Sequence, residues 1–253
     1  MEKENNVPNL LGILGGLGPM SGIYFCEMLT AHTLATKDSD HLNFLLSSRA
    51  DTPDRSSFIM GLSDVDPTPR MRSEAKRLEA AGAELLVIPC NTAHYFYSKI
   101  TEAVDIPILN IIEETAKVCA FEKASRVGVL ATEGTASSGA YSDIFKKYNI
   151  AVHPLSKEDQ SFVTETIFDK IKCGDKPDAE RFIKLCEKLY SEGCEKVILG
   201  CTELSLIKKE YQLPKYVIDS LEVLCISALL RCNKTPVGFD GDLLKFYLTE
   251  KGI

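Results

Sequence analysis

The chain has no tryptophan, only four histidines, and no CxxC pair among its nine cysteines. The histidines do not join the cysteines at metal-ligand spacing, so a zinc site is not expected. The cysteines lie at 26, 90, 119, 173, 186, 194, 201, 225 and 232, an odd and scattered set that fits no disulfide framework. Most are expected to be small apolar fillers. No apolar run reaches the roughly 18–20 residues that span a bilayer. The first ten residues, MEKENNVPNL, lack the basic start and apolar stretch of a signal peptide. An excess of positive charge is missing too: the formal net charge of −7 disfavours nucleic acid and anionic membrane surfaces as partners. It leaves room for an anionic small ligand in a locally basic pocket. The expected address is the cytoplasm.

What is present is the alternation of βαβ units. Short apolar runs at 11–14, 43–46, 85–88 and 106–109 predict four strands. A second series at 127–130, 151–153, 197–199 and 216–218 predicts four more. Helices fit between them, for example over 71–81 and 179–192, each followed by a glycine suited to a C-cap, Gly82 and Gly193. The fold class is therefore α/β with mainly parallel sheets. No low-complexity linker separates the halves, so any domain boundary is topological.

The chain repeats itself. GILGGLGPMSG from Gly12 is similar to GVLATEGTASSG from Gly128, and AGAELLVIPCNTAH matches SEGCEKVILGCTELS more closely. In the second pair a helix-ending glycine is followed by a buried strand and then a cysteine. The spacing from Gly82 to Cys90 equals that from Gly193 to Cys201, and small polar residues follow each cysteine.

A cysteine at the carboxyl edge of a parallel sheet stands where α/β proteins bind ligands. Unpaired N–H groups of a following helix favour thiolate there. Two such cysteines in matching positions of related halves predict a site between the halves with a sulfur on each side. That arrangement suits inversion of a carbon centre: one thiolate takes the α-proton from one face, and the opposite thiol delivers a proton to the other. No pyridoxal phosphate or other cofactor is expected. The carbanion is then stabilised by fixed dipoles and hydrogen bonds to the substrate carboxylate. Asn91, Thr92, Thr132, Thr135 and Thr202 are the right residue types in the right loops.

The motifs GILGGLGP (12–19), PDRS (53–56), AGAELLVIPCNTAH (81–94), NIIEETA (110–116), LATEGT (130–135) and LGCTEL (199–204) resemble the aspartate/glutamate racemase family over nearly the whole chain. The likeness is greatest to the two-cysteine branch typified by aspartate racemase. The resemblance implies Cys90 and Cys201 as the catalytic pair, with the turn Asn91, Thr92, Ala93 holding the α-carboxylate, helped by Thr135 and Thr202. It sets Arg55 and Lys172 as cations for substrate carboxylates, and hence an acidic amino acid as substrate. It also implies two similar Rossmann-like domains with the active site between them, residues 1–115 plus 220–253 and residues 116–219, and a homodimer. Glu203 replaces the histidine of the GCTHYPL pattern found in cell-wall glutamate racemases, which ranks that subfamily lower.

Three residues are possible supports. Gly16, in a Gly-rich turn whose GxGxxG match is broken by Ser21 and Pro19, suits close backbone approach to a carboxylate better than dinucleotide binding. Glu203 either satisfies helix N–H groups or assists Cys201. Arg49 adds a second cation near the entrance and, with Met60 and Tyr141, bears on substrate length. His94, one helical turn past Cys90, suits packing or support of the site. Racemisation of aspartate is the leading expectation, with glutamate or a broader amino-acid range as alternatives. Isomerisation or decarboxylation of dicarboxylic acids, and silent amino-acid binding, are the rivals.

Overall fold

The computed structural model describes residues 7–251, so residues 1–6 and 252–253, at the ends of the expected first domain, lie outside the described residues. Eight parallel strands form two four-stranded sheets. The first comprises β1 (Leu10–Gly15), β2 (Asn43–Ser48), β3 (Leu85–Val87) and β4 (Ile108–Leu109), in the order β2-β1-β3-β4. The second comprises β5 (Arg126–Leu130), β6 (Ala151–His153), β7 (Lys196–Leu199) and β8 (Val217–Asp219), in the equivalent order β6-β5-β7-β8. Central strands covered on both faces read as continuous apolar runs, as in LLV of β3 and VIL after the lysine of β7. All eight predicted strands are found, with ends shifted by no more than two residues. β4 is shorter than expected because Pro107 has no N–H to give the ladder, although its carbonyl still accepts from Leu86 N–H at 2.9 Å.

The repeat holds at atomic level. The helices Thr68–Ala80 and Ala179–Ser191 both stop at a left-handed glycine, Gly82 at φ 96° and Gly193 at φ 88°. In each, the next residue closes the same Schellman bond, Ala83 N–H to Leu78 O at 3.1 Å and Cys194 N–H to Leu189 O at 3.0 Å. Glu84 and Glu195, at matching positions, each accept from backbone N–H groups just before the first strand of their sheet.

Two helices join the halves. Ile111–Phe121 leads from β4 to β5, and Ser220–Arg231 leads back from β8; they pack on each other inside one core drawn from both sheets. Their N-caps are Asn110, which accepts from Ile112 and Glu113 N–H, and Asp219, which accepts from Leu221 N–H. Each cap contributes about 1 kcal/mol. Cys119, Cys186, Cys194, Cys225 and Cys232 are buried free thiols in the apolar clusters, as expected, whereas Cys173 is exposed. Among the described residues no helix is long and apolar enough to cross a membrane, and no cluster of three His, Cys, Asp or Glu is arranged to hold a metal.

Candidate active site

The loops beyond β3 and β7 meet in a narrow cleft lined by Leu17, Asp54, Arg55, Ser56, Cys90, Asn91, Thr92, Thr132, Lys172, Cys201, Thr202 and Glu203. Free space between the walls is about 10 Å³, roughly one water. A larger cavity of about 640 Å³ lies behind the loop 131–137 and contains neither cysteine. Both cysteines of the repeat are in the narrow cleft.

The residue four places beyond each cysteine ties its turn to one of the two helices that join the halves. His94 Nδ1–H donates to Cys90 O at 2.8 Å, and His94 Nε2 accepts from Ile111 N–H at 3.2 Å, tying the Cys90 turn to the start of the helix Ile111–Phe121. Both ring nitrogens are thereby committed to one neutral tautomer. Burial pushes the His94 pKa down to about 4. Ser205 plays the matching part after Cys201, donating to Asp219 Oδ1 at 2.8 Å at the N-cap of the helix Ser220–Arg231.

The two thiols have unlike surroundings. Burial raises both. At Cys90 this is opposed by the nearby Arg55 guanidinium, by a hydrogen bond from Ala93 N–H and by Lys172, although the Glu203 charge adds to it. At Cys201 it is reinforced by Glu203, whose charge and hydrogen bond hold the proton on sulfur; the Sγ to Oε2 distance is 3.0 Å. The repeat explains the contrast. The position two after Cys90 is Thr92, and the position two after Cys201 is Glu203.

Arg55 is buried at the start of the helix Arg55–Ile59 and donates to the carbonyls of Thr52, Pro53 and Leu17, with no carboxylate as a hydrogen-bond partner. Lys172 Nζ is 3.8 Å from Glu203 Oε1. Among the described residues, Arg55 Nε and Glu203 Oε1 are buried without hydrogen-bond partners. Such atoms cost about 1–3 kcal/mol each unless a ligand satisfies them. Opposite, Thr92 Oγ1 lies 3.1 Å from Thr132 Oγ1 and 2.8 Å from Thr135 Oγ1, and Ser56 Oγ donates to Thr132 Oγ1 at 3.2 Å. These hydroxyls from three loops form one acceptor-and-donor patch.

The residues singled out from the sequence meet the cleft in different ways. Lys172 follows an irregular helix end: the helix Lys157–Glu165 widens into a π-turn at Thr166–Lys170 and ends in a 3₁₀ turn at Ile171–Cys173. Such a bulge re-aims the side chains that follow it. Ala93 is not among the residues that line the cleft, and its N–H is directed to the Cys90 sulfur. Thr135 stands behind Thr92 and Thr132. The side chains of Asn91 and Thr202 are engaged with protein partners. Gly16 packs against the Arg49 backbone, where a Cβ would come within 2.2 Å of Arg49 N. Arg49 turns away to Asp51 and Glu74 and does not line the cleft. The first-loop glycine that reaches the site is Gly18, where a Cβ would lie 2.2 Å from Glu203 Oε1. Sequence reasoning missed it because GGLG offers three equivalent glycines. Ser220, absent from every motif, was also missed.

The sequence profile described as Asp/Glu/Hydantoin racemase matches residues 14–228. The chain is 28% identical over 237 residues to the broad specificity amino-acid racemase RacX of Bacillus subtilis, covering 87% of this chain and 96% of that protein. It is similar in structure to Picrophilus torridus aspartate racemase, with 28% identity, a TM-score of 0.78, and 95% and 98% of the two chains covered. An aspartate racemase homologue from Pyrococcus horikoshii gives 25% identity and a TM-score of 0.73, covering 89% of this chain and 99% of that one.

Proposed function

The chain belongs to the Asp/Glu/Hydantoin racemase family and is an amino-acid racemase, and on that premise we propose that it interconverts L- and D-aspartate without a cofactor, Cys90 and Cys201 acting as opposed base and acid. The observation that carries this reading is the pair of buried thiols, contributed by repeated loops, in one cleft with Arg55 and Lys172.

In this reading the α-carboxylate lies on the hydroxyls of Ser56, Thr92 and Thr132, where hydrogen bonds strengthen as negative charge develops. Arg55 and Lys172 take the side-chain carboxylate, and Arg55 Nε gains its missing acceptor. Cys90, whose burial-raised pKa is opposed by Arg55, Ala93 N–H and Lys172, removes the α-proton as the thiolate, leaving the C–H electron pair on the carboxylate-stabilised carbanion. Cys201 delivers its proton to the opposite face. The enzyme is left with Cys90 protonated and Cys201 as thiolate, the starting state for the reverse direction. Glu203 Oε2, the hydrogen-bond acceptor of the Cys201 thiol, receives that proton when Cys201 must become the base without a preceding turnover.

The narrow cleft favours aspartate over the longer glutamate, a discrimination of about 1–3 kcal/mol for one methylene. A broader amino-acid range is the second reading, favoured by the likeness to a broad specificity racemase over 96% of its length. Purified protein incubated in deuterium oxide with L-aspartate, L-glutamate or a neutral amino acid tests both, by chiral separation and loss of the α-proton signal. Deuterated D-aspartate is the expected product. Equal turnover of neutral amino acids supports the broader reading, and unchanged exchange in Cys90→Ser or Cys201→Ser overturns the thiol mechanism.

A further inference from the structure

The two cysteine loops are clasped to each other by buried polar contacts that run in both directions. From the second loop, Thr202 Oγ1–H donates to Pro89 O at 3.2 Å, linking the residue after Cys201 to the residue before Cys90. From the first loop, Asn91 Nδ2–H donates to Ser220 Oγ at 3.0 Å, and Ser220 Oγ–H donates to Leu199 O at 2.7 Å, two residues before Cys201. Tyr141 O–H closes the chain by donating to Asn91 Oδ1 at 2.7 Å. All four residues of this chain are buried.

Its direction is dictated from one end. The Leu199 carbonyl can only accept, so the Ser220 hydroxyl proton is committed to it. Ser220 Oγ therefore accepts from Asn91, which fixes the amide with nitrogen toward Ser220 and oxygen toward Tyr141. In this arrangement every polar atom of this hydrogen-bonded chain has a partner, and an unsatisfied buried member is costly. Both polar atoms of the Asn91 side chain are thus held by protein partners, and the Thr202 hydroxyl spans the loops.

We propose that Tyr141 and Ser220, with the side chains of Asn91 and Thr202, are positioning residues that fix the span between the two sulfurs. The inference rests on the two-thiol reading above. A carbanion flanked by two thiols can be reprotonated from either side. If the opposite thiol is in place, deuterium from solvent appears in the inverted product. If it is displaced, the thiol that took the proton exchanges with solvent and returns a deuteron to the same face. Exchange with retention then grows relative to racemisation. This ratio does not depend on how much enzyme is folded.

The experiment measures deuterium in recovered L-aspartate against deuterium in D-aspartate at early times, for the wild type, Tyr141→Phe and Ser220→Ala. Phe145→Leu is the packing control, since Phe145 is buried 5.5 Å from the Tyr141 ring but makes no polar contact. Racemisation in Tyr141→Phe and Ser220→Ala is expected to slow by about 10- to 100-fold, the scale of a sub-ångström to 1 Å misplacement. The ratio of retained to inverted exchange rises in both, and stays at the wild-type value in Phe145→Leu. If either variant fails to fold, Thr202→Val is expected to raise the ratio and Thr202→Ser to restore it. A wild-type ratio in every variant that folds overturns the positioning role. Absence of any exchange by the wild type overturns the racemase mechanism instead, so the two failures are distinguishable.

Discussion

The thiol of Cys201 donates to Glu203 Oε2 across 3.0 Å, both groups buried in the cleft. Cys90 has no such partner: two residues beyond it stands Thr92, and Arg55 lies nearby. The pair is symmetric in backbone and asymmetric in charge, so its members titrate differently. In Glu203→Gln the charge that holds the proton on Cys201 is gone. Alkylation of Cys201 by iodoacetamide, followed by mass spectrometry, is expected to accelerate toward that of Cys90. Turnover falls by about 10²-fold, because the acceptor for the thiol proton is lost. Unchanged relative labelling of the two cysteines in the variant would show that Glu203 does not govern Cys201.

Gly18 places the first loop against Glu203. A methyl group there would stand 2.2 Å from Oε1, well inside contact distance, so the carboxylate must swing away from Lys172 and Cys201. Gly18→Ala is expected to cost catalysis in the same way as Glu203→Gln while changing unfolding free energy by only about 1 kcal/mol. Urea titration beside initial-rate assays separates the two. A normal rate would mean that Glu203 can relocate without consequence.

The fold was legible because its signals are local and repeated. Apolar runs of strand length, helices ending at Gly82 and Gly193, and two cysteines at one spacing pointed to the strand count and to a candidate site at two loop ends. What stayed hidden depends on side-chain direction and on contacts across the halves. Lys172 reaches the cleft through a π-turn that no periodicity announces. Asn91 and Thr202 are polar residues beside the cysteines, and only the structure reveals that their polar atoms face Ser220 and Pro89. Arg49 looked like a second cation for substrate because its residue type is visible and its partners Asp51 and Glu74 are not.

That correction is directly testable. Arg55 is buried in the cleft without a carboxylate to hydrogen-bond, while Arg49 is engaged at the surface. Arg55→Lys keeps the charge but loses the planar fork that three backbone carbonyls hold. It is expected to raise KM for aspartate by about 10- to 100-fold, the value of a lost charge-assisted contact of about 1.5–3 kcal/mol. Lys172→Met should act in the same direction with smaller effect, since Lys172 is partly exposed and shared with Glu203. Arg49→Ala should leave KM within about twofold, the range of a surface substitution. A large KM effect at Arg49 would reinstate it as a substrate group.

His94 and Asp219 support the two cysteine loops and carry opposite pH dependences. His94 has its folded pKa lowered from 6.5 to about 4 by burial, so its contribution to stability is present above pH 6.5 and is lost as pH falls through 4. Asp219 has its pKa raised from 3.8 to about 6, by burial first and then by Glu222, so its contribution is full below pH 3.8 and is lost as pH rises through 6. Each shift corresponds to about 3 kcal/mol, and between pH 7 and pH 4 the two nearly cancel. Asp219→Asn removes one side of that balance while keeping an oxygen able to cap Leu221 N–H and accept from Ser205. The variant is expected to gain on the wild type at pH 8, and to lose that advantage by pH 4. Its own stability should then fall on acidification more steeply than the wild type's. Urea unfolding at pH 8, 6 and 4 measures the difference between the two proteins, in which the other carboxylates drop out. A difference that does not change with pH would mean that Asp219 is ionised in the fold at an ordinary pKa, held by Ser205 and Lys208 strongly enough to offset its burial.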